Sequence, residues 1–311
     1  MKLRLSLFAL LLLALTGLTL FLSWAGQRPP SHYLSDLRSQ VLDSPRPPAA
    51  QANLLLIRPQ LYPADYQHPQ RLRLKLAAAL DRARQAGLLQ GDTLVALPEH
   101  IGTWLLARDE KAEFYQARTR QEVRDWLLLG NPLLATRALL QNLDAARLDE
   151  ALLRMKAKQM ARDYQQLFAD LARDYRVTLL AGSILLPEPQ LVDGQLRSGD
   201  GALRNASLVF ASDGAVLGEL YSEPWPWRAT SGQTQRLEVG PWRLEVERDW
   251  HAGHPQSRLR LLDSNLRSPP LYLRGRLDWP IGGATRHIRL IPEDATDGQG
   301  SQLLGFWPTP P

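Results

Sequence analysis

Thr93-Leu94-Val95-Ala96-Leu97-Pro98-Glu99-His100 is the stretch that decides how the chain is read: five uncharged, mostly apolar residues run into a proline, and an acid follows at once. A continuous apolar run this short, entered from the turn-forming pair Gly91-Asp92 and stopped by Pro98, has the pattern of a strand buried on both faces. Upstream, Asn53-Leu54-Leu55-Leu56-Ile57, closed by Pro59, has the same form. Between the two, Leu72, Leu76, Ala79, Leu80 and Ala83 recur at helical spacing, and Gly87 is placed to end the helix. Strand, helix and strand with short links predict a right-handed crossover unit of a parallel or mixed sheet.

Downstream, residues 101 to 160 are helical in character, with a break at Asn131-Pro132 and a leucine-rich stretch from Leu133 to Leu153. Met160, Tyr164, Leu167 and Leu171 form one stripe of a following helix, and residues 177–182 predict another strand. Past Leu186 the texture is turn-rich, with turns at Asp193-Gly194 and Gly199-Asp200-Gly201, a strand at 206–210, and a hairpin signal at Asp213-Gly214. Residues 259–262 and 271–273 are further strand candidates, and Trp307-Pro308-Thr309-Pro310-Pro311 has the composition of a tail.

At the other end, Lys2 and Arg4 precede an uncharged apolar run from Leu5 to Ala25. That is long enough to cross a bilayer core of about 30 Å, and the basic flank keeps the N-terminus cytoplasmic and sends the rest to the extracytoplasmic (periplasmic) side. Ser23 and Ala25 offer the small residues of a signal-peptidase site, but the run exceeds an ordinary signal core, so residues 1–25 are read as an uncleaved anchor with cleavage as the alternative. Residues 26–50 carry Pro29, Pro30, Pro45, Pro47 and Pro48 and are expected to be a linker, with one α/β domain over 51–311.

Composition narrows the chemistry. The 311 residues contain no cysteine, which excludes disulfides, thiolate metal sites and a thiol nucleophile together. The net charge of +5 comes from arginines interleaved with acids rather than massed, which argues against a nucleic-acid footprint and leaves a weak attraction to anionic lipid.

The order of elements from Asn53 to about Trp227 resembles the carbon-nitrogen hydrolase (nitrilase and amidase) superfamily. The likeness is carried by the first strand, the helix ending Ala86-Gly87, Leu94-Val95-Ala96-Leu97-Pro98-Glu99, Leu179-Leu180-Ala181-Gly182-Ser183, and Arg204-Asn205-Ala206-Ser207-Leu208-Val209-Phe210 leading to Asp213-Gly214. The resemblance implies an α-β-β-α sandwich, here with a truncated or remodelled C-terminal part. It also implies a glutamate base, an oxyanion-steadying lysine and a cysteine nucleophile. The glutamate falls on Glu99. The lysine position falls near Glu223, of opposite charge, and no lysine follows Lys158. The strand where the cysteine is expected reads Trp242-Arg243-Leu244-Glu245-Val246-Glu247-Arg248-Asp249-Trp250.

What the resemblance implies is therefore a tethered protein without the family's hydrolysis, acting in binding or regulation, with an amide-like small molecule as ligand and sheet-to-sheet pairing into a homodimer as expected partners. The rival is a hydrolase of non-peptide carbon-nitrogen bonds using Glu99 and a non-cysteine nucleophile, such as water held by Glu99 with Glu223 or Asp249. No cofactor is implied. His251 and His254 beside Asp249 have a metal-like spacing, but Gly253 and Pro255 favour a loop without function. Trp225 and Trp227 are expected to pack over the sheet edge or line a groove, Tyr221-Ser222 lacks the surroundings of a hydroxyl nucleophile, and Asn205-Ala206-Ser207 fits a glycosylation sequon on a strand that disfavours its use.

Overall fold

Successive residues of a strand point to opposite faces, so a run that is apolar at every position must be covered twice. The computed structural model shows both covers, and it describes residues 2–28, 33–43, 52–141, 148–225, 233–240, 242–251, 254–262, 271–278 and 300–307. Helix α1 (Lys2–Gly26) is followed by strands β1 (Ser39–Asp43), β2 (Leu54–Arg58) and β3 (Gln60–Leu61), helix α2 (Pro69–Gln85) and strand β4 (Leu94–Ala96). Helices α3 (Ala112–Tyr115), α4 (Arg120–Gly130), α5 (Pro132–Gln141) and α6 (Leu148–Tyr175) come next. The remainder is strand: β5 (Thr178–Val192), β6 (Gln195–Phe210), β7 (Val216–Pro224), β8 (Gln233–Val239), β9 (Trp242–His251), β10 (His254–Leu261), β11 (Leu271–Tyr272), β12 (Arg276–Leu277) and β13 (Ser301–Phe306).

Seven strands form one mixed sheet in the order β1-β13-β2-β4-β5-β6-β7, and β8 to β11 form an antiparallel second sheet. The expected crossover is present, with β2, β4 and β5 parallel neighbours. Leu55, Ile57, Val95, Leu97, Leu179 and Ala181 face one core with α2 and α6, through Leu72, Leu76 and Leu80 of the first helix and Met160, Tyr164 and Phe168 of the second. Leu54, Leu56, Leu94, Ala96 and Leu180 face the other, against Trp242, Leu244, Val246 and Leu259 of the second sheet. The two parities of each apolar run thus build two separate cores. Helix α2 ends as its glycine foretold: Gly87 has φ 73°, its N–H donates to Arg84 O at 3.0 Å, and the Leu88 N–H reaches back to Ala83 O at 2.9 Å.

Three expectations need correction. Residues 26–50 are not a linker throughout, because β1 pairs in parallel with β13 at the sheet edge and Ser35 Oγ donates to Asp65 Oδ1 at 2.5 Å; Pro29, Pro30, Pro45, Pro47 and Pro48 lie outside the described residues. Trp307 is no tail residue, being 4% exposed at the end of β13, which runs antiparallel to β2. Gly199-Asp200-Gly201 is not a turn but a bulge within β6, where Gly201 N–H donates to Glu188 Oε2 at 3.0 Å.

The layering is helix, sheet, sheet. Among the described residues no helix follows α6, and on the outer side of the second sheet the Arg236 side chain is 79% exposed. The fourth layer of the expected sandwich therefore has no counterpart among the described residues of the C-terminal region.

Candidate functional site

The inner faces of the two sheets are apolar along most of their length and polar at one end. On β9 the inward parity runs Trp242, Leu244, Val246 and then Arg248, and on β10 Leu261 and Leu259 give way to Ser257, the register partner of Arg248. Opposite them, β6 presents Ser207 and Asn205, whose neighbours on β7 are Tyr221 and Glu223. Glu99 enters this polar end from the tip of β4.

Backbone geometry fixes how it enters. Leu97 N–H donates to Leu180 O at 3.0 Å, after which Pro98 stops the ladder and His100 adopts φ 58°, a left-handed turn. The turn is pinned on β5, where Ser183 Oγ accepts from the His100 N–H at 2.8 Å. Close approach here requires Gly182, whose φ is 70°, since a Cβ would overlap the Pro98 carbonyl oxygen.

Glu99, Glu223 and Arg248 are each 2% exposed. Arg248 Nε donates to Glu99 Oε1 at 2.9 Å and lies 3.8 Å from Glu223 Oε1. Asn205 Nδ2 bridges the same two acids, 3.2 Å from Glu99 Oε2 and 3.0 Å from Glu223 Oε1. Tyr221 donates its hydroxyl to Glu223 Oε2 at 3.2 Å, while the guanidinium carbon of Arg248 stands 4.3 Å from the centre of the Tyr221 ring. Ser207 Oγ and Gln235 Oε1, both 3.3 Å from Arg248 Nη2, complete the shell.

One guanidinium between two buried carboxylates splits their affinities for protons. Burial pushes Glu99 up, but Arg248, with help from His100, Ser183 and Asn205, outweighs it and leaves the acid below its ordinary value. Glu223 goes the other way: burial raises it, and the Asn205 hydrogen bond and Arg248 do not fully offset that and the repulsion of Glu99. Burial lowers His100 and pushes Tyr221 up to about 12. Glu223 is thus the member that takes up a proton first. Glu99 stays charged, with both oxygens engaged, which is the opposite of a general base poised near neutral pH.

Of the two carboxylate pairings considered from sequence, Glu99 meets Glu223. The side chain of Asp249 lies outside the described residues, as do Pro226 and Trp227. His251 and His254 close the β9–β10 hairpin as a register pair, with residues 252–253 outside the description, and among the described residues no group of three His, Asp or Glu side chains forms a metal site. Trp225 packs edge-on against His100, ring centres 5.0 Å apart. Ser222 Oγ accepts from Arg204 Nε at 2.6 Å, and Asn205 is fully buried, which closes it to glycosylation in the folded chain.

No protein family and no curated protein matches the chain. Among solved structures it is similar to a mutant of the amidase from Nesterenkonia sp. AN1 that carries the acetamide moiety of fluoroacetamide on its active-site cysteine. The similarity is at 15% identity and TM-score 0.33, over 65% of this chain and 57% of that one. The chain therefore spans a little over half of that amidase.

Arg248 was not singled out from the sequence, yet a signal was there. In 242–250 the even positions read Trp, Leu, Val, Arg, Trp, so strand alternation places Arg248 on the buried parity. A buried arginine needs an acid. Glu99, the strand-end acid, is the one it finds.

Proposed function

We propose that this chain is a membrane-tethered, nitrilase-like protein that binds rather than hydrolyses, with the Glu99–Arg248–Glu223 cluster standing where a hydrolase of that family would hold its reacting groups. The observation that carries this reading is the Arg248 guanidinium seated on Glu99 at 2.9 Å. It consumes the acid that would otherwise serve as base, in a chain with no thiol to activate. Binding is supported by two buried atoms that have no protein partner among the described residues, the donor Arg248 Nη1 and the acceptor Asn205 Oδ1. A donor and an acceptor bordering one ion cluster complement the carbonyl and N–H of a small amide.

The test is an ammonia-release assay of the full chain in detergent with acetamide, propionamide and acetonitrile, beside a thermal-shift titration with the same amides. Expected are no turnover above buffer, for the native chain and for Glu99→Gln alike, and an amide-dependent rise in melting temperature that Arg248→Met removes. The raised affinity of Glu223 for protons favours a second reading, water activated between the two carboxylates. Hydrolysis present in the native chain and lost in Glu99→Gln would establish that reading and dismiss the first.

A further inference from the structure

The membrane helix does not end in free chain. Ala25 is 1% exposed, and Lys111 Nζ donates to Trp24 O at 2.7 Å while lying 3.9 Å from the centre of the Trp24 ring. Arg28 clamps the next turn, donating to the carbonyls of Ala25 and Asp109 and, through Nη2, to Gly130 O at 2.7 Å. Gly130 is the last residue of α4, so the foot of α1 is fastened to the α4–α5 corner. Within the span, Arg4 to Trp24 are exposed apart from the half-buried Leu22, and burial begins only at Ala25.

On that same corner three large apolar side chains are left outside the core: Leu129 at 42% exposure, Leu133 at 72% and Leu134 at 45%. Single exposed leucines are ordinary, but three within six residues, next to the residue that receives the clamp, make a patch. The interfacial zone of a bilayer is about 5–10 Å deep, comparable with the reach of the one arginine side chain that joins Gly26's neighbourhood to Gly130. Trp24, 40% exposed beside the clamp, is an aromatic of the kind that settles at headgroup level.

We propose that the α4–α5 corner, through Leu129, Leu133 and Leu134, is seated in the extracytoplasmic leaflet beside α1. The domain is then held on the membrane at two points, in one fixed orientation, rather than swung from a tether. This rests on the reading of α1 as a membrane span.

Because the chain has no cysteine, single cysteines can be introduced and spin-labelled without background. The full chain would be reconstituted in vesicles of phosphatidylethanolamine and phosphatidylglycerol and labelled in turn at Leu133→Cys, Leu134→Cys, Leu13→Cys within the span, and Arg236→Cys on the outer side of the second sheet. The quantity read is the ratio of collisions with oxygen, which concentrates in lipid, to collisions with a water-soluble nickel chelate. The expected ratios at 133 and 134 shift toward that of 13 and away from that of 236. Ratios at 133 and 134 equal to that at 236, with 13 lipid-like, overturn the seating while leaving the anchor standing. Labels at 133 and 134 shielded from both reagents mean a protein partner covers the corner, and also overturn it. A water-like ratio at 13 removes the anchor and the seating together.

Discussion

At the scale of single residues, Arg248 is the group on which the site depends. A guanidinium that is 2% exposed and shared by two buried acids cannot be removed without leaving Glu99 and Glu223 to repel each other. Breaking a buried ion pair from one side costs about 3–5 kcal/mol, so Arg248→Met is expected to lose stability of that order in urea unfolding, and adding Glu99→Gln should recover part of it. A loss under about 1 kcal/mol would show that the cluster is solvated instead. Protons report on the same cluster with opposite signs. Glu99 is depressed below its ordinary 4.5, so its contribution is present above that value and is lost as pH falls through its folded pKa. Glu223 is raised above the same 4.5, so the folded state holds its proton longer and stability declines as pH rises from 4.5 to the folded value. Glu223→Gln should abolish that decline while keeping the acid-side loss. A native chain and variant with the same urea midpoint profile above pH 4.5 would refute the assignment.

At the scale of elements, the strands that sequence shows least are the ones that close the sheet. Strand β13 is inserted between β1 and β2, with Leu303 fully buried opposite Ile57 and Trp307 buried beyond it. A buried leucine alone contributes about 1.5–3 kcal/mol against a total stability of roughly 5–15 kcal/mol, and losing the strand also strips β2 of one of its two neighbours and β1 of its only one among the described residues. Ending the chain at residue 299 should therefore abolish native protease resistance and cause aggregation through the exposed edge of β2. A truncated chain that resists trypsin as the full one does would show β13 to be dispensable. Why these strands escape a reading of the sequence is a matter of range. β2, β4 and α2 are legible because each run is long or regular enough to declare its burial locally, and Gly87 marks its own stop. Ser301-Gln302-Leu303-Leu304-Gly305-Phe306 and Ser39-Gln40-Val41-Leu42-Asp43 carry few apolar residues each and meet partners far along the chain, as with the Gln60 N–H on Ser301 Oγ. Glu99 was legible as a strand-end acid; Arg248 required knowing that β9 packs its even positions inward.

At the scale of the whole molecule, the question is whether α1 belongs to the mature protein, and the domain's own polar interior bears on it. Behind the clamp, Glu110 is ion-paired with Lys156 and accepts from Asn131 Nδ2 at 3.0 Å, so the foot of α1 sits on a buried charged platform made from the loop after β4, the α4–α5 junction and α6. Lys111, 4% exposed, projects from this platform to the Trp24 carbonyl. A chain cleaved after Ala25 would lose that acceptor and the indole face that covers the ammonium, leaving it open to water and to the weaker bond to Gln27 O at 3.4 Å. A hydrogen bond to a charged group contributes about 1.5–3 kcal/mol, so the foot of α1 is expected to stabilise the platform it sits on. The intact mass of the protein extracted from membranes should accordingly include Leu5 to Gly26, and a chain made without residues 1–25 should unfold at lower urea than the full one. A mature N-terminus at Gly26, with unchanged urea midpoint, would show that the platform gains nothing from the helix and that the domain is released after export.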